Sequence, residues 1–263
     1  MPSDVFTKTL SDDRRVLIGW SVGATLAGVM YASFYPQLAD GQMAQAVANY
    51  PEVMREAFRL DDLTSAAGYL GSSVFGLILP LIAMFYGAAT GARATAADEE
   101  TGRLDLLLAY PIGRTAFLLQ RFAALTAGAF GLAALVCAGM LAIRGPAGLD
   151  SISVTQFAAQ CLQLALLAVT FGALAIGVGA ATGRRALVFI VTAVIGVLAY
   201  ALYAFAGQLG IGGARRVSPF HYYIGGEPLR HGVQWADAAI LLATAGLFVA
   251  AGAFWFNRRD INR

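Results

Sequence analysis

Six long stretches of this sequence contain no charged residue. They cover residues 16–35, 68–92, 122–143, 152–183, 186–211 and 238–257. Each is long enough to cross a bilayer, because a helix rises about 1.5 Å per residue and the hydrocarbon core is roughly 30 Å thick. A charged side chain at the centre of a membrane helix costs about 2.5–3.5 kcal/mol, so charge is confined to the connections. The pattern predicts an all-α membrane protein with six transmembrane helices.

The composition agrees with this fold class. Hydrophobic residues make up 58% of the 263 residues and charged residues only 13%, whereas soluble domains carry about 25% charged residues. The fourth stretch exceeds one crossing, so its first residues are expected at the membrane interface. We therefore predict a single membrane domain, residues 1–263, with spans at about 16–35, 68–92, 122–143, 157–183, 186–209 and 238–257.

The positive charges predict the orientation. Lys and Arg accumulate in the short cytoplasmic loops of membrane proteins. The connections on the side of the two termini contain twelve of the 18 Lys and Arg residues, and the other side contains six. Both termini are therefore expected in the cytoplasm. The preference for Arg over Lys, with abundant Ala and Gly, is typical of a high-GC bacterium, which predicts a multi-pass protein of a bacterial inner membrane.

A short leucine-faced segment follows the second predicted span. Leu104, Leu107 and Leu108 share one helical face by their i, i+3, i+4 spacing. Three acids at 98–100 precede the leucines, where the helix dipole favours negative charge, and Pro111 ends the helix. Such a helix can show one face to a cytosolic partner. A surface helix that merely covers the apolar ends of the spans fits the same periodicity.

The residues of this loop resemble the first cytoplasmic loop of ABC-2 type permeases, the membrane-spanning subunits of ABC exporters. The shared order is an acidic pair, glycine, leucine, an acid, three leucines, proline and arginine. In that family the loop forms a coupling helix that docks into a groove of the ATPase subunit. The resemblance implies an ATPase-coupling role for Glu99, Glu100, Gly102, Leu104, Asp105, Leu107, Leu108, Pro111 and Arg114.

Two further segments resemble the same family, so the likeness runs from the first span to the end of the chain. One is the stretch 218–229 before the last span, and the other is the ending Phe-Asn-Arg-Arg-Asp-Ile at 256–261. The resemblance implies that residues 1–263 form one ABC-2 type transmembrane domain with short re-entrant helices at its outer mouth. The residues of a possible outer gate there are Pro219, Phe220, His221 and Tyr222.

The sequence also lacks the means to hydrolyse ATP. A P-loop needs a lysine to hold the nucleotide phosphates, and the only lysine, Lys8, has no glycine-rich loop before it. The resemblance therefore implies that ATP and Mg bind a separate ABC ATPase subunit, and that a second permease subunit, identical or similar, completes the path. We predict no enzymatic activity, cofactor, metal or nucleic-acid partner for this chain, and membrane lipids around it.

Uncharged polar side chains mark one face of the fourth span. Gln156, Gln160 and Gln163 follow the spacing i, i+4, i+7. Hydrogen bonds between helices account for such a face, and lining of a translocation path is the other interpretation. The spans contain no Asp, Glu, Lys, Arg or His, which disfavours an ion-coupled transporter. A path without charge favours a lipophilic substrate that moves out of the cytoplasm.

Two other classes of function are compatible with six spans. Gly19-Trp20-Ser21-Val22-Gly23 matches the G-x-S-x-G motif of serine hydrolases, as an intramembrane protease of the rhomboid kind would require. That motif works on a strand-turn-helix elbow, whereas here it lies in an apolar helix. The two histidines, His221 and His231, belong to a connection on the other side. A non-transporting membrane scaffold is the second alternative.

Overall fold

The computed structural model of the chain describes residues 5–38, 50–52, 54–55, 62–63, 65–102 and 113–259. Within these residues all regular secondary structure is helical, and six helices are long and apolar enough to cross a membrane. The predicted number of spans and the all-α class are confirmed. Numbered in chain order, spans 1 to 6 are Arg14–Gln37, Ala66–Ala94, Arg114–Ala142, Val154–Thr182, Arg185–Phe205 and Trp235–Arg258.

All six helices begin before the predicted crossings, whereas span 5 ends at Phe205 rather than at the predicted residue 209. Span 3 differs most, because its helix already begins at Arg114 whereas the predicted crossing begins at residue 122. The exclusion of charge marks only the part of a helix that lies in hydrocarbon, while the backbone hydrogen bonds continue beyond it. The first two turns of span 3 therefore lie outside the predicted crossing but remain packed in the bundle, since Phe117 and Leu118 are buried.

The bundle has two ends that differ in what they carry. The terminal end holds the helix Val5–Asp12, the short helix Ala96–Glu100 and the residues after span 6. The opposite end holds the connections between spans 1 and 2, 3 and 4, and 5 and 6.

Span 4 is the central helix of the bundle. Of its apolar window 83% is buried, against 17–61% in the other five spans. It begins with a capping box, in which the Ser153 side chain accepts from the Gln156 amide and the Gln156 side chain accepts from the Ser153 amide. It ends at Gly183, which has a φ of 64°, a left-handed conformation that suits glycine at a helix C-terminus. Both ends of span 4 are thus fixed locally.

Glycines let the backbones of spans 2 and 4 touch. A Cβ atom on Gly87 would lie 2.6 Å from the amide nitrogen of Gly172, and one on Gly91 would lie 2.9 Å from its carbonyl oxygen. No side chain fits at either position without a shift of backbone. Gly19 and Gly23 of span 1 have the same spacing, yet a Cβ there would meet no described atom within 4 Å. The same pattern thus marks an internal contact in span 2 and an open surface in span 1.

The first half of span 2 has an unusual hydrogen-bond pattern. Leu70–Ile78 is a π-helix, in which an amide bonds the carbonyl five residues before it. Pro80 has no N–H, so the carbonyl of Phe75 receives no bond from that position. The hydroxyl of the buried Tyr223 donates to this carbonyl at 2.9 Å. A residue from the connection between spans 5 and 6 therefore satisfies the backbone of span 2.

Short helices occupy the connection between spans 5 and 6, where the family resemblance implies them. They are the 3₁₀-helix Gly212–Val217 and the α-helices Pro219–Ile224 and Pro228–His231. The second of these packs into the bundle, because Phe220, Tyr223 and Ile224 are all buried. The connection therefore closes over the opposite end rather than projecting from it.

The contact between spans 2 and 4 can be tested with one methyl group. Gly87→Ala should lower the free energy of unfolding by about 1–3 kcal/mol, because the new Cβ overlaps the backbone of span 4. Gly19→Ala is the matched control and should leave stability unchanged or slightly higher. Thermal unfolding of the full chain in a non-ionic detergent measures both. Equal midpoints for the two variants would contradict the packing.

Candidate functional site

Three consecutive acids at the terminal end each contact a different part of the chain. The first is Asp98, on the short helix Ala96–Glu100 directly after span 2, which binds Arg121 of span 3 at 2.6 Å. The two side chains are only 17% and 14% exposed, so solvent screens this pair less than a surface pair. The guanidinium of Arg121 also lies over the ring of Phe117 at 5.2 Å. This pair ties the end of span 2 to span 3.

The next two acids reach spans 5 and 6. Glu99 forms an ion pair with Arg259, the residue that follows span 6. Glu100 accepts a hydrogen bond of 2.8 Å from the backbone N–H of Arg185, the first residue of span 5. A carboxylate at that position also meets the positive end of the helix dipole. The helix Ala96–Glu100 is therefore bonded to spans 3, 5 and 6 through successive residues.

Arg114, a predicted coupling residue, belongs to the same group of contacts. Its guanidinium donates to the carbonyl oxygens of Phe256 at 3.0 Å and Arg259 at 2.9 Å. Next to it, the Asn257 side chain donates to the hydroxyl of Thr115 at 2.9 Å. These bonds hold the start of span 3 against the end of span 6, where the last carbonyls of a helix have no partner within the helix.

A further ion pair joins the first two spans. Asp13, just before span 1, binds Arg93 of span 2 at 2.9 Å. Burial raises the pKa of Asp13, and the neighbouring guanidinium of Arg93 acts in the opposite direction. Together these contacts form what we call the terminal-end charge cluster, with the members Asp13, Arg93, Asp98, Glu99, Glu100, Arg114, Arg121, Arg185 and Arg259.

Only some of the predicted coupling residues lie in the described part of the chain. Glu99, Glu100 and Arg114 are in the cluster, and the exposed Gly102 closes the helix before it with a φ of 68°. The others, namely Leu104, Asp105, Leu107, Leu108 and Pro111, fall in 103–112, outside the described residues. The ATPase-coupling role of the whole set stays a prediction. Arg121 and Arg185 gave no sequence signal beyond their charge, and Arg259 appeared only as part of the ending at 256–261.

The glutamine face of span 4 meets the connection to span 6. Gln156 donates to the carbonyl oxygen of Arg230 at 2.7 Å, and Gln163 donates to that of Gln234 at 3.3 Å. Gln160 between them is fully buried, and its oxygen accepts no hydrogen bond from the described residues. Two of the three side chains therefore make contacts within the chain, with the connection before span 6 rather than with another span. Lining of a path stays an untested prediction.

The predicted gate residues lie on the helix Pro219–Ile224. Pro219 is its first residue, and Phe220 is buried between the rings of Phe171 at 5.7 Å and Tyr200 at 5.3 Å. His221 and Tyr222 are half-buried and stack edge to face at 5.1 Å. Phe220 thereby anchors this helix to spans 4 and 5. A gating role for these residues stays a prediction.

A cavity of about 530 Å³ lies beside this helix at the opposite end. The start of span 2, the first turns of span 4 and the connection between spans 5 and 6 surround it. Elsewhere, the described residues include no group of three or more His, Cys, Asp or Glu side chains that could hold a metal ion.

A family profile covers almost the whole chain. The family described as "Multidrug efflux system permease Rv1217c, C-terminal domain" matches residues 9–257. The chain belongs to this family. Comparison with curated proteins finds no match. With its six spans, the permease is a multi-pass membrane protein, and its family indicates transport rather than enzymatic catalysis.

The pair Asp98–Arg121 should contribute measurably to the stability of the permease. A double-mutant cycle with Asp98→Asn and Arg121→Gln should give a coupling energy of about 1–2 kcal/mol, because both side chains are largely shielded from water. Unfolding of the full chain in detergent by titrated sodium dodecyl sulfate measures it.

The matched control is Arg144–Asp150 at the opposite end, whose atoms are 3.9 Å apart and whose Asp150 side chain is 71% exposed. The same cycle there should give less than about 0.5 kcal/mol. Equal coupling energies for the two pairs would mean that the terminal-end charge cluster does not hold the helices together.

Proposed function

We propose that this permease is the membrane-spanning subunit of an ATP-driven ABC-2 type exporter. It moves a lipophilic compound out of the cytoplasm through the interface of two permease subunits. A separate ATPase subunit supplies the energy and binds ATP and Mg. The strongest support is the terminal-end charge cluster, in which the helix leading into the leucine-faced segment is bonded to spans 3, 5 and 6.

The cluster supplies a physical route for the coupling. A cytosolic ATPase that binds residues 103–112 would exert its force on the loop that begins after the helix Ala96–Glu100. Each of three successive carboxylates on this helix is bonded to a different element, so a rotation of the helix displaces spans 3, 5 and 6 together. Packed elements of this kind move as rigid bodies between two arrangements rather than deforming continuously.

Two observations support export through a pair of subunits. The family is one of multidrug efflux permeases. Spans 1 and 5 bury only 22% and 17% of their apolar windows within this chain, so they offer wide apolar faces to lipid or to a second subunit. The open surface at Gly19 and Gly23 lies on one of these spans and allows close approach of another helix.

The alternative functions find less support. Ser21 lies in the second turn of span 1, near the terminal end, whereas His221 and His231 lie in the connection between spans 5 and 6 at the opposite end. A serine and a histidine at opposite ends of a bundle cannot form a nucleophile and base pair. A scaffold would still need a docking segment, so only the nature of the bound partner distinguishes it from a transporter.

The proposed orientation places the terminal end in the cytoplasm. Single cysteines at Thr101 and Val217, in a chain whose Cys137 and Cys161 are replaced by alanine, report on the two ends. Both positions are exposed. In intact cells a membrane-impermeant maleimide should label Val217→Cys, and should label Thr101→Cys only after the membrane is opened. Labelling of Thr101→Cys in intact cells would contradict the orientation.

The coupling of ATP hydrolysis to transport can be tested on the proposed ATPase subunit. The tagged full chain, purified from its native membrane, should carry a P-loop ATPase whose hydrolysis is inhibited by vanadate. Leu107→Arg should reduce the bound ATPase activity and efflux at least about tenfold, because a charge replaces the apolar contact. Val217→Arg is the control, since Val217 is 78% exposed at the opposite end, and it should retain both.

Two outcomes would contradict this function. If Leu107→Arg kept full ATPase binding and efflux while inserting normally, residues 103–112 would not be the docking segment. If the purified chain bound a protein without ATPase activity through the same segment, the scaffold would be the better description.

A further inference from the structure

The cavity at the opposite end is separate from the terminal-end charge cluster. Small residues at the start of span 2, Ala67, Gly68 and Gly71, form one wall, and Ile224 and Leu229 of the short helices form another. Its volume of about 530 Å³ lies in the roughly 300–1,000 Å³ range of small-ligand sites. Small-ligand sites are lined mostly by apolar side chains, and a few polar groups orient the ligand. The polar groups therefore determine which ligand the cavity can bind.

One of these polar groups is a buried amide whose oxygen has no partner. Gln160 borders the cavity, its side chain is 0% exposed, and its oxygen accepts no hydrogen bond from the described residues. Its NH2 group faces the Tyr223 hydroxyl, which donates its own hydrogen to Phe75. A buried amide that is only partly satisfied lowers the stability of the fold. A ligand that reaches Gln160 would supply the missing contacts.

The second group is a cation without an acidic partner among the described residues. Arg215, on the 3₁₀-helix, borders the cavity, and its buried Nε makes no hydrogen bond with the part of the chain described here. Its guanidinium fills the space beside Gly207, where a Cβ would lie 2.7 Å from Nη2. The other lining arginine differs, because Arg230 contacts Asp62 and lies 3.6 Å from Glu227. Of the two, Arg215 is the one available to an anion.

The position of the cavity along the bundle indicates the kind of ligand. Span 4 contains 29 residues, a length of about 43 Å, which covers the hydrocarbon core and both headgroup layers. Gln160 comes six residues after its start at Val154, or about 9 Å along the helix. This is the depth at which headgroups meet acyl chains. A polar cavity there is placed for the head of a lipid whose chains remain in the bilayer.

We propose that this cavity binds the phosphate headgroup of a membrane lipid. The planar guanidinium of Arg215 matches phosphate oxygens through paired hydrogen bonds, and the Gln160 amide donates a further one. Asp62 and Glu227 also border the site, and both contact Arg230. The apolar wall residues Ile224 and Leu229 contact the glycerol and upper acyl groups. The site requires neither ATP nor a second subunit, so it does not depend on the proposed function.

Binding of a phospholipid to the purified full chain tests this site. Native mass spectrometry in a non-ionic detergent, with titrated dioleoyl phosphatidylglycerol, should show a saturable site. Arg215→Gln should weaken this binding by about tenfold or more, because a charge-assisted hydrogen-bond pair is lost. Arg216→Gln is the matched control, since the neighbouring Arg216 is exposed and does not line the cavity. It should bind as the wild type does.

Gln160→Leu separates binding from folding. It should weaken phosphatidylglycerol binding while leaving the unfolding midpoint unchanged or higher, because it removes a buried amide whose oxygen has no partner. Dioleoylglycerol, which has the same chains and no phosphate, should not occupy the site. Displacement of the lipid by inorganic phosphate would support recognition of the phosphate itself, and resistance to it would support a contribution from the acyl chains.

Three results would overturn the proposal. Dioleoylglycerol could bind as tightly as phosphatidylglycerol. Arg215→Gln and Arg216→Gln could bind the lipid equally well. Inorganic phosphate could occupy the site while the lipid does not. None of these results bears on whether an ATPase drives transport. That question is tested separately by the ATPase and efflux measurements on Leu107→Arg.

Discussion

The contact between spans 2 and 4 is the interaction on which the rest of the bundle depends. Lipid chains are as apolar as leucine, so helices in a bilayer are held together by close packing rather than by the hydrophobic effect. The glycines at 87 and 91 bring the two backbones into contact, and a Cβ on Gly252 of span 6 would lie 2.7 Å from the Cα of Gly177 on span 4. Span 4 is buried because its neighbours can approach this closely.

The two ends of the bundle differ in how their charged and amide groups are paired. At the terminal end, the three acids at 98–100 each have a partner, which stabilises one arrangement of the helix ends, although the Nε atoms of Arg121 and Arg259 make no hydrogen bond with the described residues. At the opposite end, the oxygen of Gln160 and the Nε of Arg215 make none, and Arg215 has no acidic partner among the described residues. Satisfied networks stabilise a fold, whereas buried groups without partners lower stability unless a ligand satisfies them. The first arrangement suits transmission of force, and the second suits binding.

The spans were predictable from sequence because charge exclusion is a local property, whereas the short helices around Pro219 were expected only from the family resemblance. The partners of the charged residues were not predictable from the sequence. From the sequence, Arg121 is expected in a loop next to a span. Only the packing of spans 2 and 3 brings it into contact with Asp98. The spacing of the glutamines predicts one face of span 4, but not that Gln156 and Gln163 meet the connection to span 6 while Gln160 borders a cavity. The periodicity of a sequence identifies the residues on one face of a helix, but it does not show which other part of the chain contacts that face.

Span 2 connects these two ends physically. Its last turn leads through Thr95 into the helix Ala96–Glu100, and its second half rests on the backbone of span 4 at Gly87. At its midpoint, Pro80 offers no N–H to the carbonyl of Phe75, and the Tyr223 hydroxyl, from the short helices beside the cavity, donates to that carbonyl instead. A displacement of the helix Ala96–Glu100 therefore has a packed, hydrogen-bonded connection to the opposite end, provided by one helix and one tyrosine.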